Sequence, residues 1–394
     1  MRRYLERRTA MVAALIIASW LVRCEEASTS GVAVQTVEVF TPTPEIDASG
    51  VSDVTDALNL FFESVPDSAT IRLPRAARYR IEGILILKNR HGLTIDGNGA
   101  RLFATTDGSS FPPPVSYGHL WPRSRQHMVF EGGSDIEIRD LTIVGANPNA
   151  GSQQGAYNES LEGQHGFKFS GVQSVYLLRV SISDVYGDFL YLGGDDGVWS
   201  RDIHVSDSHF ERNGRQGIAI TSAENVLVEN SYIGEVARSI IDLEPNSENG
   251  GARGVTFTSN TFGLCRHLLL AAGGRGPNVG EVEFSNNRLV GMMLKVVVEA
   301  SDGSRRGPFT FFNNTSDTPH GALAPMMRFV RVDGVVVEGN VQPMVVARQM
   351  TAVHAVESCE ITVRDNAFSG AAEEVIVVPF GCPAVDNRIA QSIS

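Results

Sequence analysis

The sharpest chemical pattern in the chain is Ile241-Asp242-Leu243-Glu244, two carboxylates separated by one apolar residue. On a strand, side chains two apart share a face, with backbones roughly 6.5 to 7 Å apart. Paired carboxylates serve as general acid and base in glycoside hydrolysis, and a separation of about 6.5 to 9.5 Å admits a water and gives inversion. Repulsion between them would hold one protonated near neutral pH, as the acid role requires. The competing reading is a solvated pair that holds Arg238 or Arg253 at a loop base. Asp195 and Asp196, in Gly193-Gly-Asp-Asp-Gly197, are further acids for the same groove, although Asp-Asp-Gly is also an ordinary turn.

Basic residues offer a second chemistry. Only Lys88, Lys168 and Lys295 are lysines among 33 basic residues, so their placement is informative. In uronate β-elimination a base removes a proton while a cation or calcium neutralises the sugar carboxylate. Lys168, Lys295, Arg212, Arg215 and Arg328 could supply the cation, and Asp195, Asp196, Asp242 and Glu244 could hold calcium through oxygen. No other cofactor or metal is implied. Tyr191, Phe189 and Trp199 could stack on sugar faces, although Trp199 reads first as an anchor of its loop. His204 and His209 read as structural.

These residues need an element that lines them up, and a repeat supplies it. The template apolar-x-apolar, then a polar position, then a bend residue, starts at Leu93, Ile136, Val175, Ile203, Val226, Val255, Val282, Phe309, Val335 and Ile361. Successive starts differ by 43, 39, 28, 23, 29, 27, 27, 26 and 26 residues. A period in the twenties with strand alternation predicts a β-solenoid whose coils stack on one another. Asn, Asp and Gly dominate the fifth position, where a bend demands left-handed backbone angles. Each template follows a second alternating strand, such as Gly166-Phe-Lys-Phe-Ser170 and Gly217-Ile-Ala-Ile-Thr221.

In most coils the template begins six residues after the last inward residue of that second strand. Four coils are longer, counted from Leu192, Leu243, Leu270 and Val298, and their loops cover 193–202, 244–254, 271–281 and 299–308. Loops grouped on one side of a solenoid wall a binding face. Alternation turns Lys168, Tyr191, Asp242, Glu244, Lys295 and Glu299 outward on one ribbon, with His267, Arg328 and His354 on the same strip. The expected site is therefore Asp242, Glu244 and Asp196 as catalytic groups. Lys168, Tyr191, Asp195, Arg215, His267, Lys295, Glu299 and Arg328 are the expected substrate contacts.

Segment 72–100, following a short helix, together with the coils through residue 380, resembles the right-handed parallel β-helix proteins of the pectin-lyase-like superfamily. The resemblance implies an all-β, right-handed parallel β-helix of about ten coils or slightly more, with an N-terminal capping helix. Ser52 is the expected cap of that helix over residues 53–64. The superfamily includes polygalacturonases, pectate and alginate lyases, epimerases, tailspikes and adhesins, so the resemblance implies a polysaccharide partner. Gly194-Asp195-Asp196 is similar to the aspartate pair of polygalacturonases, whose Asn-Thr-Asp, Gly-His-Gly and Arg-Ile-Lys motifs are absent. The Asp-Pro-His signature of mannuronan epimerases is absent too. The resulting expectation is a polysaccharide hydrolase. The alternatives are a metal-assisted uronate lyase and a non-catalytic carbohydrate-binding solenoid.

Composition agrees with an exported globular protein. With 42% hydrophobic and 20% charged residues, 394 residues suffice for a large core, and disorder or a coiled coil is excluded. A net charge of −12 argues against nucleic acid and anionic membrane as partners. Four arginines in residues 1–8, followed by the apolar run Met11 to Val22, predict an export signal over residues 1–24, with an uncleaved anchor as the alternative. Residues 25–50 read as a linker and 51–394 as the solenoid, a monomer or small homo-oligomer. Export permits a disulfide, for which Cys359 and Cys382, about one repeat apart, are the favoured pair, and three separate buried thiols are the equal alternative.

Overall fold

A computed structural model describes residues 37–113, 115–194, 197–320, 324–343, 351–368, 376–379, 382 and 385–389. The expected export signal, Asp195 and Asp196 lie outside these residues.

The chain winds into a parallel solenoid of about 12 turns. A full coil carries three strands rather than the minimum of two read from the repeat. In one coil these are Phe167–Ser170, Gln173–Leu178 and Ser181–Val185, and they define faces 1, 2 and 3. The template strands form face 2. Ile136, Val175, Ile203, Val226, Val255, Val282, Phe309, Val335 and Ile361 pair in succession, as the repeat alignment requires. The expected bend is also present. From Asp140 to Asp365 the fifth template residue has φ between 49° and 67° in every coil, including at Arg179 and Ser259. Beyond it Ser231, Asn260, Asn287, Asn314, Asn340 and Asn366 stack inside the wall. Each of these asparagines accepts the backbone N–H of the residue one coil earlier, at 2.8 to 3.1 Å. The ladder satisfies buried polar groups that the bend would otherwise strand.

Alternation sends Phe167, Leu190, Ile218, Ile241, Leu269, Val296 and Met327 of face 1 into a fully buried core. Phe257, Phe284 and Phe311 stack along its axis with ring centroids 4.9 and 5.4 Å apart. Phe189 belongs to this core and is fully buried, so it is not a sugar platform.

The capping helix α1, Thr55–Ser64, buries Leu58 and Phe62. Asn59 pairs with Ile84 O and Ile86 N, closing the edge of the first face-1 strand. Ser52 is not its cap. Asp53 Oδ1 receives the Thr55 N–H at 3.1 Å and the Thr55 hydroxyl at 2.6 Å, which moves the helix start to Thr55. Pairing also begins earlier than read, because Val39–Phe40 lies parallel to Thr70–Arg72 within the segment assigned to the linker.

Of the four long loops, the third is counted from the wrong residue. Leu269 pairs with Ile241, so Leu270 faces outward beside Asp242 and Ala271 is the last inward residue. The loops stack as expected. Trp199 Nε1 donates to Asn249 O at 2.7 Å, Asn278 Nδ2 to Glu248 O at 3.2 Å, and Gly276 N to Asp302 Oδ2 at 2.7 Å. Trp199 is thus a loop anchor. Cys359 and Cys382 form a disulfide, with Cα atoms 5.0 Å apart.

Candidate active site

Face 1 carries an outward ladder in which Lys168, Tyr191, Ala219, Asp242, Leu270, Val297 and Arg328 are register partners on successive coils. Neighbouring coils lie roughly 4.8 Å apart, so Tyr191 and Asp242 stand about 10 Å apart with only the Ala219 methyl between them. That gap is the floor of a small cleft of about 180 Å³, partly open to solvent. Its lining comprises Arg123, Ser124, Glu162, Gly163, His165, Tyr191, Arg215, Ala219, Thr221, Asp242, Glu244 and Asn246.

Asp242 is 1% exposed, whereas the Glu244 side chain is 40% exposed. Burial, the Glu244 charge and Asp188 hold Asp242 well above the ordinary carboxylate range, against the pull of Arg215. The carboxyls of Asp242 and Glu244 lie within hydrogen-bonding range of each other. This corrects the expected spacing. The side chains converge although their backbones are a dipeptide apart, so no water fits between them and inversion does not follow from this pair.

Gln216 fixes the orientation of the acid. Its Oε1 accepts Ser239 N at 2.9 Å and Ser239 Oγ at 2.6 Å, which turns its amide nitrogen to Asp242 Oδ2 at 3.0 Å. With Oδ2 accepting, a proton on Asp242 resides on Oδ1. Gly273 leaves room for the Glu244 carboxyl, which a Cβ at that position would strike.

Arg215 rather than Arg238 or Arg253 is the cation of the pair. It meets Asp188 at 2.8 Å, Glu162 at 3.4 Å and Glu244 at 3.7 Å. Asp188 is fully buried, and burial pushes its carboxyl up to about 6 despite Arg215 and the Gln216 N–H. His165 Nδ1 accepts the Asp188 N–H at 3.0 Å, so its proton sits on Nε2. Burial, with the charges of Arg215 and Lys168, holds His165 well below its usual range, and its 3.2 Å approach to Asp188 Oδ2 is therefore not an ion pair. Tyr191 stacks on the His165 ring at 4.9 Å, and Asn246 Nδ2 donates to its hydroxyl at 3.1 Å. Burial raises Glu162, but the Tyr157 hydroxyl, Arg123 and Arg215 outweigh it and keep this carboxyl lower than usual.

The structure thus brings together four expected residues, Asp242, Glu244, Tyr191 and Arg215. Lys168 sits beside them, its Nζ 6.0 Å from the centre of the Tyr191 ring. Four others are absent from the cleft lining. Arg328 and Glu299 form an ion pair with each other, and His267 and Lys295 lie on later coils. Arg212 is committed to Asp184 on face 3.

The family profile described as right handed beta helix region matches residues 76–316, more than half of the chain. The chain belongs to the right-handed β-helix family. No curated protein matches its sequence. Among solved structures, this β-helix is similar to the surface adhesin PfbA of Streptococcus pneumoniae, at 15% identity over 87% of this chain and 93% of that one, TM-score 0.53. It is similar to the Family 28 exopolygalacturonase of Yersinia enterocolitica, at 13% identity over 88% and 79%, TM-score 0.56. A tailspike mutant of E. coli bacteriophage HK620 in complex with pentasaccharide matches at 13% identity over 90% and 64%, TM-score 0.60. At such identities the likeness is one of fold alone.

Sequence reasoning missed the wall formed by Arg123, Ser124, Glu162 and His165. These residues come from the connections between Phe103 and Met128 and between Val144 and Phe167, which precede face 1 in the early coils. The two longest repeat spacings, 43 and 39 residues, carry that signal, since each exceeds the usual period by more than ten residues. Among the described residues no group of three or more His, Cys, Asp or Glu could hold a metal ion, and no helix is long and apolar enough to cross a membrane.

Proposed function

We propose that this β-helix hydrolyses glycosidic bonds of a polysaccharide, with Asp242 as the proton donor. One observation carries the reading: a buried carboxyl, biased toward its neutral form and with its proton on the oxygen away from Gln216, stands on the floor of a solvent-open polar cleft. A neutral acid at neutral pH is what protonation of a glycosidic oxygen demands. Glu244 is too close to Asp242 to activate a water between them, so its role is to hold the proton on Asp242. The remaining lining carboxyl, Glu162, stays ionised and is assigned to take the proton of the attacking water. The glycosidic C–O bond breaks, its oxygen takes the Asp242 proton, and water adds to the anomeric carbon. Tyr191 offers the side of its ring that faces Ala219 as a platform for a neighbouring sugar.

Uronate elimination is the weaker reading, with or without calcium. It needs a cation free to meet a substrate carboxylate, whereas Arg123 and Arg215, the two cations of the lining, are both engaged by acids. Incubation with a polysaccharide panel, following reducing ends and the absorbance of unsaturated products, tests the assignment. Reducing ends alone are expected, and Asp242→Asn and Glu244→Gln should each lower the rate by at least about 100-fold. Unsaturated products would reassign the protein to the lyases. Tight binding without cleavage would make it a glycan-binding solenoid, and full activity in both variants would remove the pair.

A further inference from the structure

The cleft is acidic, but the edge of face 1 that runs on from it toward the C-terminal coils is not. Arg215 begins a ladder along the bend that precedes face 1. Arg238 follows it one coil on, its N–H bonded to Arg215 O at 3.0 Å. Arg266 is next, since Ser239 pairs with His267, and Lys295 belongs to the coil after that, since Leu269 pairs with Val296. Arg215 is saturated by carboxylates, whereas Arg238, Arg266 and Lys295 make no ion pair among the described residues. Arg238 and Arg266 are exposed and Lys295 is half-buried. In a chain with 45 acidic residues against 33 basic ones, three successive coils that present unpaired cations on one edge form a local exception.

Two further observations place this edge in the groove. Arg238 lies 5.1 Å from the centre of the Tyr157 ring, and the Tyr157 hydroxyl donates at 2.6 Å to Glu162 of the cleft wall. Beside the cations the outward ladder changes from Asp242 to Leu270 and Val297, both half-buried. An apolar floor with a cationic rim suits a sugar that presents a CH face downward and an anionic substituent sideways. Coils repeat every 4.8 Å or so, close to the advance of one sugar along a linear chain, so the cations can meet successive residues of one glycan.

We propose that this edge, from Arg238 to Lys295, is a binding track for the anionic groups of a carboxylated or sulfated glycan, whose chain extends from the cleft toward the C-terminal coils. The proposal deepens the hydrolase reading and rests on it for the direction of the chain. A neutral sugar occupies the acidic cleft, and oxyanion-bearing sugars lie beyond it.

The test is equilibrium binding, by calorimetry, of the Asp242→Asn chain to three oligosaccharides of equal length: an oligogalacturonate, a sulfated glucan and the unsulfated glucan. At low salt at least one anionic oligosaccharide should bind ten-fold or more tighter than the neutral one, and the difference should shrink as salt screens the rim. The comparison of the two anions tells carboxylate from sulfate. Replacing Arg238 and Arg266 together by Gln should remove the preference, while Arg253→Gln, an exposed arginine on a face-2 strand, should leave it intact. Equal binding of neutral and anionic chains, an unaltered preference in the double variant, or binding of none of the three overturns the track. Cleavage is read separately on the unmodified protein, so a failed track leaves hydrolysis standing, and an inactive protein that still selects anions removes hydrolysis alone.

Discussion

Asp242 is a buried acid maintained at a cost, and that cost can be measured apart from catalysis. Its folded carboxyl titrates above its unfolded value, so the protonated form is the one the fold prefers. The folded state is therefore penalised as pH rises from the ordinary carboxylate range toward neutrality. Asn reproduces the neutral acid, with its oxygen toward the Gln216 amide and its own amide toward Glu244. We expect Asp242→Asn to be as stable as the parent near pH 4 and more stable at pH 7, by about 1 to 3 kcal/mol, while cleavage is lost. Denaturant midpoints at the two pH values check this, and a variant that is less stable at pH 7 would contradict a neutral-leaning Asp242. The pair was legible in the sequence because two residues on one strand share a face. Asp188, Gln216 and His165 were not, because they sit in the bend before face 1, where alternation no longer tells which way a side chain turns.

The bends themselves are held by buried charge. Arg125, 1% exposed, donates to Thr106 O at 2.6 Å and Gln164 Oε1 at 2.9 Å, and meets Glu82 at 3.3 Å. Glu82 is fully buried and receives the Thr105 N–H at 3.0 Å and the Thr106 hydroxyl at 2.9 Å. Gln164 donates in turn to Asp107 O and Pro122 O at 2.8 and 2.9 Å. The two connections that carry Arg123, Glu162 and His165 are thereby fastened to each other and to the first coil. Arg80 also pairs with Glu82, at 2.9 Å, so Arg125→Met leaves that charge compensated but strands Thr106 O and Gln164 Oε1, and should cost about 2 to 4 kcal/mol. It should also open the 104–127 connection to limited proteolysis and weaken substrate binding more than turnover. A variant that keeps full stability would show that the network does not fasten the loops. None of this was legible from the repeat, which describes what recurs, whereas Glu82, Arg125 and Gln164 occur once each. A similar limit explains the misplaced Leu270: in the unbroken apolar run Leu268-Leu-Leu-Ala271 alternation cannot tell inward from outward, and only the pairing of Leu269 with Ile241 reveals it.

At the scale of the whole molecule, each coil contacts chiefly the coils before and after it, so a disturbance should decay along the axis. The sequence displayed this architecture well because the asparagine ladder, the apolar rows and the left-handed bends all share one period. It displayed the cleft poorly because the cleft depends on departures from that period. The Cys359–Cys382 disulfide lies in the last coils, whereas the cleft-lining residues run from Arg123 to Asn246. A bridge across a sequence separation of 23 should contribute about 3.5 kcal/mol by restricting the unfolded chain. In a solenoid that contribution belongs to the terminal coils first. Replacing both cysteines by serine should therefore raise amide hydrogen exchange in the strands Val353–Val356 and Ile361–Asn366. Exchange in Ser239–Leu243 and the rate of glycan cleavage should stay at the parent level. Uniformly faster exchange from the cap to the last coil would mean that the coils unfold as one unit, and that a lesion at the C-terminal end reaches Asp242 as readily as one beside it.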